Sequence, residues 1–175
     1  MDTGDKEKPL KGTSDYPMHF NSQIYTQNKG TTKMEHLKIK YLRDVDPIEK
    51  KENSDWIDLR CGVTTELKKG EFAIIPLGVA MQLPSGYEAL VLPRSSTFKR
   101  YGIIMVNSMG LIDESYCGEE DEWGFCAYAL RDTVIQKNDR ICQFRIMYHM
   151  QELDIETVDH LDNDSRGGYG STGRN

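Results

Sequence analysis

The sequence predicts an all-β fold of jelly-roll type, a sandwich or barrel built from many short strands. Three observations carry that expectation. Apolar runs are short and recur at close spacing from Trp56 onward. Turn-forming clusters such as Pro84-Ser85-Gly86 and Lys137-Asn138-Asp139 separate them. No segment sustains helical apolar periodicity over three turns. Short runs punctuated in this way are the pattern of antiparallel all-β architectures.

Taken in order, residues 1–33 mix both charges with scattered glycine and proline and keep no period. They are expected to form a disordered extension, with the folded part starting at Met34. Alternation of Leu37, Ile39 and Tyr41 predicts a first strand, and residues 44–55 a charged loop or short helical turn. Apolar runs follow at 57–63, at 72–83 with bends at Pro76 and Gly78, and at 87–92. Pro93-Arg94-Ser95-Ser96 ends the last of these, and residues 97–101 suit a brief helical turn. Residues 102–106 and Leu111-Ile112 flank a turn that closes at Gly110, which reads as a β-hairpin. The tip of such a hairpin offers backbone N–H and C=O groups to the edge of a flat base. Strands at 125–131, 133–135 and 140–147 complete the set. The domain reading is thus an extension at 1–33, a β-barrel domain at 34–164 and a glycine-rich C-terminal arm at 165–175.

At 175 residues and 20.1 kDa the chain fits one domain with a real core. Its net charge of −6 and pI near 5.3 argue against sequence-independent nucleic-acid binding, which needs a basic surface. An acidic protein that handles a polyphosphate must concentrate positive charge locally or recruit a cation. No run approaches the ~18 apolar residues of a membrane span, and the polar N-terminus lacks the form of a secretory signal. A cytoplasmic protein without a membrane partner is expected. Cys61, Cys117, Cys126 and Cys142 lack CxxC spacing and read as small buried hydrophobes. No histidine stands at ligand spacing from them, so no zinc site is expected.

Two stretches could carry chemistry. Beside the expected hairpin, Asp113 and Tyr116 offer a carboxylate for general-base work and a ring for stacking. The same residues also suit a solvated surface turn. At the C-terminus, Ser165-Arg166-Gly167-Gly168-Tyr169-Gly170-Ser171-Thr172-Gly173 is either a frayed end or an arm that wraps phosphate.

Together and in order, five stretches resemble the motifs of the trimeric deoxyuridine triphosphatases, the dUTPases. They are Asp55-Trp56-Ile57-Asp58-Leu59-Arg60, Pro93-Arg94-Ser95-Ser96, Gly110-Leu111-Ile112-Asp113-Glu114-Ser115-Tyr116 with Gly118, Asn138-Asp139-Arg140-Ile141-Cys142-Gln143, and Arg166 to Gly173. The likeness is greatest to the Bacillus and phage branch. It implies a dUTPase-like jelly-roll β-barrel with a flexible arm, and hydrolysis of dUTP to dUMP and diphosphate by water attack on the α-phosphorus. Asp113 is the implied general base. Tyr116 would pack on the deoxyribose and exclude a 2′-OH. Asn107 and Gly110 would read uracil, with Ile112 in the same binding set. Ser95, Ser96 and Gln143 would contact the phosphates, Arg94 would do so or orient the site by pairing with an internal carboxylate, and Arg166, Gly170, Ser171 and Thr172 would close over them. Mg2+ is implied as the ion of the triphosphate, with Asp58 and Gln143 meeting it through water. The family also implies a homotrimer with shared active sites.

Two departures stand out. Trp56-Ile57 replaces the usual small pair, and the last motif is two residues short, with Tyr169 where phenylalanine is usual. Tyr169, Trp123 and Phe125 are therefore all candidates to cover the base. Two rival functions are a dCTP deaminase, or bifunctional deaminase-diphosphatase, of the same fold, and a nucleotide-switched regulator with a protein partner. Fold alone does not choose among them.

Overall fold

The computed structural model describes residues Met34 to Ser165; the expected extension and all but the first residue of the expected arm lie outside the described residues. Eleven strands and one short helix follow in order: β1 (Lys38–Tyr41), β2 (Ile57–Arg60), β3 (Thr65–Leu67), β4 (Phe72–Pro76), β5 (Val79–Gln82), β6 (Tyr87–Pro93), α1 (Thr97–Tyr101), β7 (Ile103–Met105), β8 (Gly110–Ile112), β9 (Gly124–Ala129), β10 (Thr133–Ile135) and β11 (Arg140–Tyr148). All pairings are antiparallel. They form a four-stranded sheet β2-β11-β6-β8, a three-stranded sheet β4-β9-β7, and two-stranded pairs β1-β5 and β10-β3. The expected all-β class holds.

Alternation places the core. In β9, Phe125, Ala127 and Ala129 are buried while Gly124, Cys126 and Tyr128 are half-exposed, the period-two signature of a strand with one face inward. In β6, Ala89 and Val91 turn to the same core, joined by Leu59, Ile141 and Phe144 from β2 and β11. Trp123 packs edge-on against Phe144 with ring centroids 5.4 Å apart, a geometry that adds about 0.5–1.5 kcal/mol to the burial itself. Trp123 and Phe125, two of the three rings expected as candidates to cover the base, are fully buried. Tyr169 lies outside the described residues.

The expected hairpin at 102–112 is not one. β7 pairs with β9 through Ile103↔Ala129 and Met105↔Ala127, whereas β8 pairs with β6 through Gly110↔Val91 and Ile112↔Ala89. The chain changes sheets across Asn107-Ser108-Met109, with Ser108 at φ 61°. Each strand is paired elsewhere: β7 closes the edge of the β4-β9-β7 sheet and β8 the edge of the β2-β11-β6-β8 sheet. A Cβ at Gly110 would come within 3.1 Å of both Met105 Cε and Val91 Cβ, so Met105 occupies the space over Gly110 that a wider residue would need.

Two further readings change. β3 was not anticipated, because three residues, Thr-Glu-Leu, carry too little pattern without their partner β10. Cys117 is exposed and Cys126 half-buried, so only Cys61 and Cys142 behave as core residues; burial raises both of those thiols above the usual range. Among the described residues no helix is long and apolar enough to cross a membrane. Residues 149–165 follow β11 without strand or helix and are exposed.

Candidate active site

The phosphate-facing candidates gather on the outer face of the four-stranded sheet. Leu59 turns inward from β2, so Asp58 turns outward. Its register partner on β11 is Gln143, whose other neighbour is Leu92 of β6. Arg94 follows β6 directly. The turn that carries it is fixed from below by Thr97, whose buried hydroxyl donates to Ile141 O at 2.7 Å and accepts the Arg94 N–H at 3.0 Å. At the other end of α1, Gly102 adopts φ 63° and Arg131 donates to the carbonyls of Lys99 and Arg100. Ser95 and Ser96 thus sit on a turn anchored at both ends.

Asp58 is the hub of this group. Its Oδ1 accepts Arg94 Nε at 2.7 Å and its Oδ2 accepts Arg140 Nη1 at 3.0 Å. Two guanidinium groups against one carboxylate leave a local excess of positive charge in an acidic chain. That is the concentration of charge a polyphosphate requires. Arg140 lies inside the fourth motif, yet its pairing across to β2 was not anticipated.

Both Asp58 oxygens are therefore engaged by arginine, where the sequence reading gave that carboxylate a metal-bound water. No group of three or more His, Cys, Asp or Glu side chains comes together as a metal site among the described residues. This donor set does not fit a resident ion.

The second group lies around Asp113. A cleft of about 360 Å³ is lined by Ile74, Leu111, Ile112, Asp113, Tyr116, Glu122, Trp123, Gly124 and Cys126. The Tyr116 N–H donates to Asp113 O at 3.1 Å, closing a turn that presents both side chains. Glu114, between them, points away and accepts the Gly86 N–H at 2.7 Å, a bond that lowers its carboxyl pKa. The Tyr116 hydroxyl donates to Glu122 O at 3.3 Å. Of the two carboxylates lining the cleft, Glu122 is occupied: Arg43 forks onto it and Gly78 N–H donates to it. Asp113 is exposed, and its side chain makes no hydrogen bond or ion pair among the described residues. Asn107 is exposed on the crossing between sheets, beside half-buried Gly110.

The two groups are separate within one chain. The Asp113 cleft includes none of Asp58, Arg94, Ser95 or Gln143. Arg166, Tyr169, Gly170, Ser171 and Thr172 lie outside the described residues. Sequence reasoning missed Arg140, Glu114, Glu122 and Arg43. For the last two no local signal exists, since their contact joins residues 79 apart.

The family model described as dUTPase matches residues 46–173. The SPbeta prophage-derived deoxyuridine 5'-triphosphate nucleotidohydrolase YosS of Bacillus subtilis (strain 168) is 60% identical over 138 residues, covering 78% of this chain and 97% of its own length. A Staphylococcus bacteriophage 80alpha dUTPase solved with dUPNHPP superposes with a TM-score of 0.66 at 21% identity, covering 80% of this chain and 99% of that one. A mutant dUTPase from phage phi11 of S. aureus, with a structural Mg(II) ion, gives a TM-score of 0.64 at 18% identity, covering 73% and 99%. The extent of the family match and the identity to the Bacillus protein decide the assignment: the chain belongs to the dUTPase family.

Proposed function

We propose that this protein hydrolyses dUTP to dUMP and diphosphate, with Asp113 as the general base. The observation that carries the assignment of the base is the contrast inside the cleft, where Glu122 is consumed by Arg43 and Gly78 while Asp113 is exposed and makes no side-chain bond among the described residues. In the proposed step Asp113 takes a proton from water as the water oxygen bonds to the α-phosphorus. The bond from that phosphorus to the bridging oxygen breaks, and diphosphate leaves with the electron pair. Arg94 and Arg140 supply positive charge for the leaving oxygens, and Ser95 and Ser96 supply hydroxyl donors. Gln143, on the same sheet face, holds a phosphate oxygen. Asn107, Gly110 and Ile112 bind the base, and Tyr116 packs on the sugar. Arg166, Gly170, Ser171 and Thr172 close over the phosphates, with Tyr169 over the base. The substrate enters as its Mg2+ complex.

The working unit in this reading is a homotrimer that shares its sites. Support comes from the separation of the Asp113 and Arg94 groups within one chain. It comes also from the apolar outer face of the β4-β9-β7 sheet, where Phe72 is 54% and Ile74 62% exposed. A second copy laid on that face would bury both and could bring one chain's Asp113 to another's Arg94. The test is diphosphate release from dUTP, dCTP, dTTP and UTP side by side, with the mass of the assembly measured by light scattering. Release from dUTP alone by a trimer is expected. Ammonia release from dCTP would establish the deaminase instead, and binding of dUTP without turnover the regulator.

A further inference from the structure

The far wall of the Asp113 cleft is held by a residue from the other end of the domain. Arg43, just beyond β1, donates Nε to Glu122 Oε1 at 2.6 Å and Nη2 to Oε2 at 2.8 Å. Gly78 N–H donates to the same Oε1 at 2.9 Å, and Gly78 O accepts the backbone N–H groups of Leu42 and Arg43. Arginine, carboxylate and the Gly78 peptide thus form one closed unit. Glu122 in turn accepts the Tyr116 hydroxyl on its carbonyl. The adjoining Trp123 is locked by N–H donation to Val79 O and acceptance from Leu77 N–H, both at 2.9 Å.

A second ion pair, Lys40 to Glu119, also joins β1 to this loop, but the two differ in weight. The Lys40 and Glu119 side chains are 48% and 86% exposed, whereas those of Arg43 and Glu122 are 38% and 20% exposed. Exposed pairs contribute little, while a bidentate fork on a largely buried carboxylate fixes geometry. The Arg43 fork on the side chain and the Trp123 N–H bond to Val79 O, in the same peptide unit as the Glu122 carbonyl, together set where that carbonyl, and with it the Tyr116 ring, can stand.

We propose that the Arg43–Glu122 pair is a positioning strut for sugar selection: it holds the segment that tethers Tyr116, so that the ring stays rigid against a ribose 2′-OH. The inference rests on the dUTPase reading above, in which Tyr116 is the wall of the sugar site. Arg43 and Glu122 touch no reacting atom in this scheme.

The experiment uses the full chain and the variants Arg43→Ala, Arg43→Lys, Glu122→Ala, Tyr116→Phe and the double Glu122→Ala/Tyr116→Phe. The ratio of kcat/KM for dUTP over UTP is measured for each, together with hydrogen exchange of the 113–118 peptide. Arg43→Ala and Glu122→Ala are expected to lower the ratio by about tenfold or more, within the range that one misfit group costs, and to speed exchange. Arg43→Lys keeps the charge but loses the fork and should fall between. Tyr116→Phe cuts the tether and keeps the ring, so it should lower the ratio, and the double variant should lower it no further than a single one. An unchanged ratio with unchanged exchange in folded variants overturns the strut, as does full additivity in the double variant. If Glu122→Ala does not fold, Arg43→Lys and Tyr116→Phe decide the matter. A wild-type protein inert toward dUTP would overturn the functional reading instead. The exchange measurement needs no nucleotide and judges the strut alone.

Discussion

Arg94 Nε meets Asp58 Oδ1 at 2.7 Å, and this contact joins the end of β6 to the outer face of β2 across the intervening strand β11. With Arg140 on the other oxygen, the carboxylate aligns two cations whose own repulsion would otherwise separate them.

Asp58→Asn keeps the shape of that hub and removes its charge. Arg94 and Arg140 lose their ion pairs, and kcat/KM for dUTP should fall by roughly 10–100-fold through misplaced phosphate contacts. The melting temperature should also drop, because two part-buried guanidinium groups lose their counter-charge. Steady-state kinetics and a thermal melt on the same sample check both, and unchanged kinetics would remove Asp58 from the machinery.

Asp113→Asn tests the base. The amide cannot accept the proton, so kcat should fall by roughly 10²–10⁴ while dUTP still binds. Single-turnover rates set beside equilibrium binding separate the two effects. Near-normal turnover would reassign the proton.

These two aspartates mark what was readable in the sequence. The strand order in sequence, the turn at 93–96, the brief helix and the motif residues were legible because each is local. Partner choice was not. Whether β8 returns along β7 or joins β6 is decided by its pairing with Val91 and Ala89, a long-range match with no trace in the local apolar pattern. Arg140 and Asp58 are 82 residues apart, and Arg43 and Glu122 are 79 apart. Charged residues at such separations pair only once the sheets are assembled. Trp123 and Phe125 read as candidate lids because a sequence gives ring identity without burial.

A chain ending before Arg166 should remain folded and associated while losing most turnover. The removed residues supply a guanidinium and two hydroxyls to the phosphates in the proposed mechanism. Sizing and circular dichroism report the fold, and diphosphate release the activity. A truncated protein as active as the full chain would take the arm out of the mechanism.

Acid should loosen the wall of the cleft. The Arg43 fork, then the Gly78 N–H and the Arg43 charge, hold the Glu122 carboxyl below its ordinary 4.5, against burial that opposes them. A carboxylate depressed on folding contributes stability that is present above the unfolded pKa and lost as pH falls through the folded one. The contribution of Glu122 should therefore be complete at neutral pH and decline below about pH 4.5. Melting temperature followed from pH 6 to pH 3 should fall less steeply in Glu122→Gln than in the unaltered chain. Identical slopes would mean that other carboxylates carry the acid response.

β11 is hydrogen-bonded to β2 on one side and β6 on the other, and it begins at Arg140. A ribosome must therefore synthesise more than eighty residues beyond Asp58 before the central strand of that sheet exists. Until then β2 and β6 have no common neighbour, and the Asp58 cluster lacks one of its two arginines. Pairing across such separations is slow in folding, because loop closure precedes any gain from contact. A nascent chain at that stage carries the residues of the Asp113 cleft but not the assembled Asp58 cluster. Catalytic competence arrives late in synthesis, and fragments that stop short of β11 are expected to be targets for chaperones rather than weak enzymes.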